Sequence, residues 1–279
     1  MVGGIFRQAA ASGKVAADSA SEGFMPDNQP AHVLITGASS GIGAALALCY
    51  ARPGTHLSLG GRNQERLAGI AAQAAARGAT TSVASIDVRD RDAVADWAIA
   101  ADDRTPLDLV IANAGISGGT HGGPETADQT RAIFAVNLDG VLNVALPVIP
   151  RMIARRRGQI AIISSLAAYR GFPGAPAYSG SKAAVKVWGE ALRADLAPQG
   201  VKVNVVMPGF IKSPMTDAND FPMPFLMPAE KAAEIIRSGL AANRARIAFP
   251  FPTAFLAWAM GALSPLIADP ILRMLPKKD

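Results

Sequence analysis

From residue 31 onward, short apolar runs alternate with longer segments whose apolar residues recur at helical spacing. His32-Val33-Leu34-Ile35 is a short, mainly apolar run that ends in a glycine loop, the pattern of a strand buried on both faces. A helix is predicted over 42–50, a second strand over 57–59 and a second helix over 64–76. Strands over 80–86 and 107–111 flank a helix over 93–101. A long helical stretch over 127–152 follows, disturbed near its end by Pro147 and Pro150. A strand over 159–163, a long helix over 177–196 and a strand over 201–206 continue the alternation. The prediction is an α/β fold: a doubly wound parallel sheet with helices on both faces. Right-handed crossovers bring the loops after the strands to one edge, where such sheets bind ligands.

Half of the 279 residues are apolar and 18% are charged, which suits one large core. A single catalytic domain is expected over 31–248, between a disordered arm over 1–30 and an apolar extension over 249–279. The arm is rich in Ala, Ser and Gly and lacks the apolar centre of a secretory signal. Arg7 and Lys14 would suit a transit peptide, but Asp18 and Glu22 count against one, and Met25 is an alternative start. The expected location is cytoplasmic, with membrane association through the apolar extension as the variant reading. The formal charge of +5 does not point to nucleic acid, because the basic residues are scattered. The one dense run, Arg155-Arg156-Arg157, reads as a solvated helix end. The lone cysteine, Cys49, reads as a core residue and allows no disulfide within the chain. His32, His56 and His121 stand apart with no ligand partner at metal spacing, so no metal is expected. His121 lies in a glycine-rich loop where a substrate-side role is conceivable.

Candidate chemistry begins at Thr36-Gly37-Ala38-Ser39-Ser40-Gly41-Ile42-Gly43, which follows a strand and opens a helix. Gly37 permits a tight turn, Gly41 lets a pyrophosphate approach the backbone, and Gly43 lets the helix pack on the strand. The amides from Ser39 through Ile42 and the positive helix end would hold the phosphates. At the end of the second strand, Leu59-Gly60-Gly61-Arg62-Asn63 offers no acid for a ribose 2′-hydroxyl. Arg62 can instead grip a 2′-phosphate, with a hydroxyl from Ser39 or Ser40, so NADP is favoured over NAD.

Tyr178-Ser179-Gly180-Ser181-Lys182 sets a phenol and an ammonium on one helix face. A free phenol titrates too high for efficient proton exchange at neutral pH, and a neighbouring ammonium lowers it. Tyr178 can then act as acid or base at a substrate oxygen, with Lys182 beside it also reaching the nicotinamide ribose.

With these motifs in this order, the chain over about 31–240 resembles the short-chain dehydrogenase/reductase family, built on a Rossmann fold. The resemblance implies further roles. Asp87-Val88 would meet the adenine amino group, and Asn113-Ala114-Gly115 would support the sheet beside the adenosine ribose. Ser165, thirteen residues before Tyr178, would hold the substrate oxygen. Asn137 would hold a water linking Lys182 to solvent. Pro208-Gly209 would start the loop beside the nicotinamide, and Ile211 would bond its carboxamide through the backbone. Ser213 stands where the family often has threonine, which weakens the phosphate contact carried over to it. A homo-oligomer is the family expectation.

The resemblance fades after residue 240. Residues 246–249 can supply a seventh strand, and no charge interrupts 247–268. Pro250, Pro252 and Pro265 leave only 253–264 as a clean helix, which favours core or dimer packing, then interfacial membrane contact, over a true span. A substrate lid is expected over 214–228, and its Pro, Met and Phe content suggests an apolar small-molecule ketone. Two alternatives remain: oxidation of a polar, sugar-like alcohol served by the polar loop 117–121, and a regulator that binds the nicotinamide without turnover.

Overall fold

The computed structural model describes residues 29–118, 124–217 and 222–274. The N-terminal arm, the loop carrying His121, part of the expected lid and the tail with Lys277 and Lys278 lie outside the described residues.

Seven parallel strands form one sheet in the order β3-β2-β1-β4-β5-β6-β7. They are β1 (His32–Thr36), β2 (His56–Gly61), β3 (Thr80–Ser85), β4 (Leu109–Ala112), β5 (Gly158–Ile163), β6 (Val201–Pro208) and β7 (Arg246–Phe249). The first helices are α1 (Gly41–Tyr50), α2 (Gln64–Ala76) and α3 (Arg91–Arg104). The order reverses at β1, which pairs with β2 on one side and β4 on the other. That switch point opens a crevice beyond the carboxyl ends of the strands.

Alternation along each strand builds two core layers. Val33 and Ile35 of β1 pack with α1 and α2 on one face. Leu34 faces the opposite layer with Val94 and Ala98 of α3, Ile160 and Ile162 of β5, and Val185. The central strands are therefore buried on both sides, which is why they read as apolar runs rather than as alternating ones, while the edge strand β3 is polar and partly exposed.

The long helical stretch expected over 127–152 is present; it is interrupted near Pro147, as expected, and also carries a π-helical turn. It contains α4 (Ala127–Phe134), a π-helical turn (Ala135–Asp139), α5 (Gly140–Ala145) and, after a turn at Pro147, α6 (Ile149–Ala154). The π turn carries Asn137 into the interior. After β5 come a short 3-10 turn (Leu166–Ala168), the long α7 (Pro176–Leu196) and, beyond β6, the single-turn α8 (Pro214–Asp217). A further helix, α9 (Ala229–Ala241), falls where no element was anticipated; it buries Ala232, Ala233, Ile236 and Leu240 against the α1 side of the sheet. Beyond β7 the chain forms α10 (Phe251–Ala262) and α11 (Pro265–Arg273). Pro252 and Pro265 sit in the first turns of these helices, where a missing N–H costs nothing, so they start helices instead of breaking one.

Arg156 and Arg157 of the arginine run are exposed at the end of α6, as expected, while Arg155 is drawn into an ion-pair cluster. Arg155 and Arg151 converge on the buried carboxylate of Asp102, Arg157 pairs with Asp108, and Arg156 donates to the Pro198 carbonyl. This cluster ties α3, α6 and the entry to β4 together at the end of the sheet opposite the ligand edge.

Candidate active site

Gly37 and Gly41 adopt left-handed backbone, with φ of +66° and +53°. A Cβ at Gly43 would lie 2.2 Å from the Gly37 carbonyl oxygen, so only glycine fits there. Ser40 stands at the N-cap of α1 without a side-chain cap, and no acid occupies the first turn. The amides at this helix end therefore face no competing carboxylate from their own turn, as an anion site requires. Asn113 locks the neighbouring loop onto this one, since its Nδ2 donates to the Thr36 carbonyl at 2.9 Å. The amides of Asn113 and Ala114 donate to Thr36 Oγ1 at 3.0 and 3.1 Å. A pyrophosphate fits this cradle of exposed amides and side-chain-free backbone.

At the end of β2, the Trp97 ring lies on the Gly60 backbone: a Cβ there would stand 2.5 Å from the ring. A Cβ at Gly61 would meet only ordinary contacts, 3.6 Å from Leu67 Cδ2 and from Ser39 Oγ. Arg62 follows, exposed, and Asn63 caps α2 by accepting from the Arg66 amide at 2.8 Å. Asp87 is bound by the Arg89 guanidinium at 2.6 Å, and these hydrogen bonds hold its carboxyl below the ordinary value. Its neighbour Val88 is buried.

The proton-handling groups meet between β5 and α7. Ser165 leaves the end of β5, and its hydroxyl accepts from the Ala167 amide at 3.1 Å and acts to lower the Tyr178 phenol. Lys182, one turn on from Tyr178, is buried; its Nζ donates to the Ile163 carbonyl at 2.8 Å and stands 5.9 Å from the Tyr178 ring centroid. Burial pushes the ammonium down to about 8. The phenol is raised by burial, and the Ser165 hydrogen bond only partly opposes this. The lowering of the phenol by Lys182 expected from the sequence is not found here: desolvation dominates, Ser165 alone opposes it, and the ammonium is turned toward the Ile163 carbonyl.

Asn137 is fully buried. Its amide group accepts from the Ile116 N–H at 2.8 Å and donates to the Ile116 carbonyl at 2.9 Å and to Ser181 Oγ at 3.1 Å. A Cβ on Gly115 would lie 3.2 Å from Asn137 Oδ1 and 3.3 Å from Lys182 Nζ, so the loop after β4 passes beside both. Two serines that were not singled out in the sequence brace this group. Ser181 Oγ donates to the Tyr178 carbonyl at 2.9 Å, and Ser164 Oγ to the Lys182 carbonyl at 2.7 Å. Their only signal was their place beside Lys182 and Ser165.

The Lys182 shift makes stability pH-dependent. Folding favours the neutral amine, so between pH 8 and the ordinary value of 10.5 the unfolded chain binds more protons, and unfolding free energy rises with pH. Lys182→Met is expected to remove a rise of about 3 kcal/mol across that window, read from urea unfolding of both proteins. An identical pH dependence in the two would show that the ammonium is not desolvated.

After β6, the Gly209 amide donates to the Phe249 carbonyl at 2.8 Å. Ile211 forms an isolated parallel bridge with Met227, in which Lys212 and Met227 supply the donating amides, so the Ile211 N–H takes no part in it. Ser213 lies against the glycine loop: a Cβ at Gly41 would be 3.0 Å from its own Cβ. The two described histidines are structural. His32 bonds the Thr105 carbonyl and Ser58, and His56 bonds Thr80 and Ser82. Among the described residues no cluster of His, Cys, Asp or Glu is placed to hold a metal ion.

A parallel sheet with a dinucleotide cradle at its switch point, and a Ser-Tyr-Lys-Asn group beside it, defines an oxidoreductase working with a nicotinamide dinucleotide. The short chain dehydrogenase pattern matches residues 31–221, and the chain belongs to the short-chain dehydrogenase/reductase family. An uncharacterized oxidoreductase of Myxococcus xanthus is 40% identical over 222 residues, 79% of this chain and 88% of that protein. A 3-oxoacyl-[acyl-carrier-protein] reductase of Thermotoga maritima is 34% identical over 189 residues, 66% of this chain and 75% of its own. A solved short-chain dehydrogenase from Sphingobium yanoikuyae in complex with NADPH matches with a TM-score of 0.73 at 25% identity, covering 88% of this chain and 96% of that one.

Proposed function

We propose that the protein is an NADP(H)-dependent reductase of an apolar ketone, with Tyr178 as its general acid. The observation that carries this reading is the convergence of Ser165, Tyr178, Lys182 and Asn137 from three separate segments beside the glycine cradle. The nicotinamide, when bound, supplies the hydride that the carbonyl carbon receives. The Tyr178 phenol gives its proton to the carbonyl oxygen, and the Ser165 hydroxyl donates to that oxygen as charge develops on it. Lys182, cationic below about pH 8, stabilises the resulting tyrosinate until solvent returns the proton. Asn137 holds Ile116 and Ser181 in register with Lys182 and completes the path to solvent.

The preference for NADP rests on Arg62 and Ser39 at the end of β2, where no acid faces the ribose. Asp87-Val88 and Asn113-Ala114-Gly115 line the adenosine side, and Pro208-Gly209 and the Ile211 amide the nicotinamide side. An apolar substrate is supported by Phe225 and Leu226, exposed on the segment that returns from the site. The Thermotoga relative, by name, reduces 3-oxoacyl groups, which fits this class. Exposed Val187 on α7 and Leu146 after α5 support a homo-oligomer.

Nicotinamide absorbance followed with ketones graded from polar to long-chain tests the substrate class. Turnover rising with chain length and preferring NADPH supports it; turnover confined to sugar-like alcohols overturns it. Arg62→Ala is expected to weaken NADPH binding by about 10- to 100-fold and to leave NADH binding nearly unchanged, as measured by titration. Equal losses for both would remove the 2′-phosphate role.

A further inference from the structure

We propose that Glu125 is a positioning residue for Tyr178: its carboxylate clamps the first turn of α7 to the start of α4, and so sets the phenol within the group formed by Ser165, Lys182 and Asn137. The start of α7 has no cap of its own. Ala175 stands at the N-cap position with no side-chain hydrogen bond, and Pro176 follows it in the first turn. The first bond of the helix runs from the Ser179 amide to the Ala175 carbonyl at 3.0 Å. The amides of Ala177 and Tyr178 come before it, and a helix end leaves such donors without a partner of its own. Glu125 Oε2 accepts from the Ala177 amide at 2.9 Å, across 52 residues of chain.

A remote cap does what a local one cannot. A serine, threonine or aspartate at position 175 would satisfy the same end of the helix without reaching any other part of the fold. Glu125 instead brings in the segment that follows β4. The next residue, Thr126, caps α4 by accepting from the Gln129 amide at 3.2 Å. Two adjacent residues therefore cap two helices, and these are the helices that carry the site. α7 holds Tyr178 and Lys182, and α4 runs on into the π turn with Asn137. Farther along, the two helices touch directly: a Cβ at Gly180 would lie 3.3 Å from Phe134 Cζ. At their first turns they border a cavity of about 520 Å³, lined by Thr130 and Phe134 from one and by Pro176 and Ala177 from the other. There the carboxylate supplies the link that packing does not.

The link is held at a cost. Glu125 Oε1 is buried without a hydrogen-bond partner among the described residues. A buried oxygen left in that state is unfavourable, and the positive end of α7 offsets part of the penalty. An alanine at the N-cap beside a half-paired carboxylate is a poor arrangement for stability alone. It is a sound one for holding Tyr178, the residue after the bonded amide, in one place. Misplacing a reacting group by about 1 Å can slow a reaction about 100-fold.

The inference rests on Tyr178 being the acid, so Tyr178→Phe is assayed beside the Glu125 variants, each with the substrate of the graded panel that the wild type turns over fastest. Glu125→Ala should lower kcat about tenfold and leave KM for cofactor and substrate within about twofold. Glu125→Gln keeps an oxygen for the Ala177 amide and should return kcat to within about threefold of the wild type. Amide hydrogen exchange over residues 172–180 needs no substrate. It should quicken at least about tenfold in Glu125→Ala and keep the wild-type rate in Glu125→Gln. A Glu125→Ala protein with a lowered melting temperature and wild-type kcat would make the residue a plain helix cap and overturn the proposal. Unchanged exchange would overturn it too, as would a glutamine variant as slow as the alanine one. Wild-type turnover by Tyr178→Phe would instead overturn the reading of the acid, and this inference with it.

Discussion

A Tyr178→Phe enzyme is expected to bind NADPH as the wild type does and to turn over its carbonyl substrate about 10²- to 10⁴-fold more slowly. The substitution keeps the ring and its packing and removes one oxygen, the atom whose titration Ser165 acts to lower. Without it, the remaining proton-bearing group beside it on α7, Lys182, is engaged by the Ile163 carbonyl. The loss should therefore appear in kcat far more than in KM, the signature of an interaction made in the transition state. Turnover within about threefold of wild type would remove Tyr178 as the acid and shift weight to Ser165.

Asp102→Ala is expected to cost about 3 kcal/mol in unfolding free energy and to leave kcat and KM unchanged. The carboxylate is nearly inaccessible and accepts from the Leu107 amide at 2.8 Å, Arg151 Nε at 2.6 Å and Arg155 Nη1 at 2.9 Å. Burial works to raise its titration, and these hydrogen bonds overcome it, so the group stays below its ordinary value of 3.8. Its contribution is accordingly complete above that value and lost as pH falls through the folded one. Removing it strands the largely buried Arg155 guanidinium without its anion. Urea unfolding with a change under about 1 kcal/mol would show that solvent replaces the carboxylate without penalty. The separation of the two variants, one catalytic and one purely structural, follows from their places at opposite ends of the same sheet.

Much of the fold was legible because a sheet buried on both faces must be written in apolar runs. The spans of α2 (Gln64–Ala76) and β7 (Arg246–Phe249) agree with the reading to the residue. The Tyr178 and Lys182 pairing needed only the period of a helix. What escaped has physical reasons. Asn137, in the π turn, bonds Ile116 in the loop after β4 and Ser181 on α7, both remote in sequence, and nothing local announces these contacts. The pairing of Asp102 with Arg151 and Arg155 spans about fifty residues, so the sequence does not set Arg155 apart from its exposed neighbours Arg156 and Arg157. α9 (Ala229–Ala241) is strongly amphipathic and was readable, but the expected lid drew attention to the prolines before it. In the C-terminal helices the composition was plain, yet composition does not say which side faces inward; a small-residue face can be the buried one.

The end of β2 carries a consequence for how this protein relates to others of its kind. At Gly60 the Trp97 ring forbids any side chain, whereas at Gly61, one residue on, a Cβ has ordinary room. An acid able to meet a ribose hydroxyl can therefore enter the lineage at one of these positions and not at the other. An exchange of the proposed dinucleotide preference would thus fall at the buried Gly61, beside Leu67, and not at Gly60.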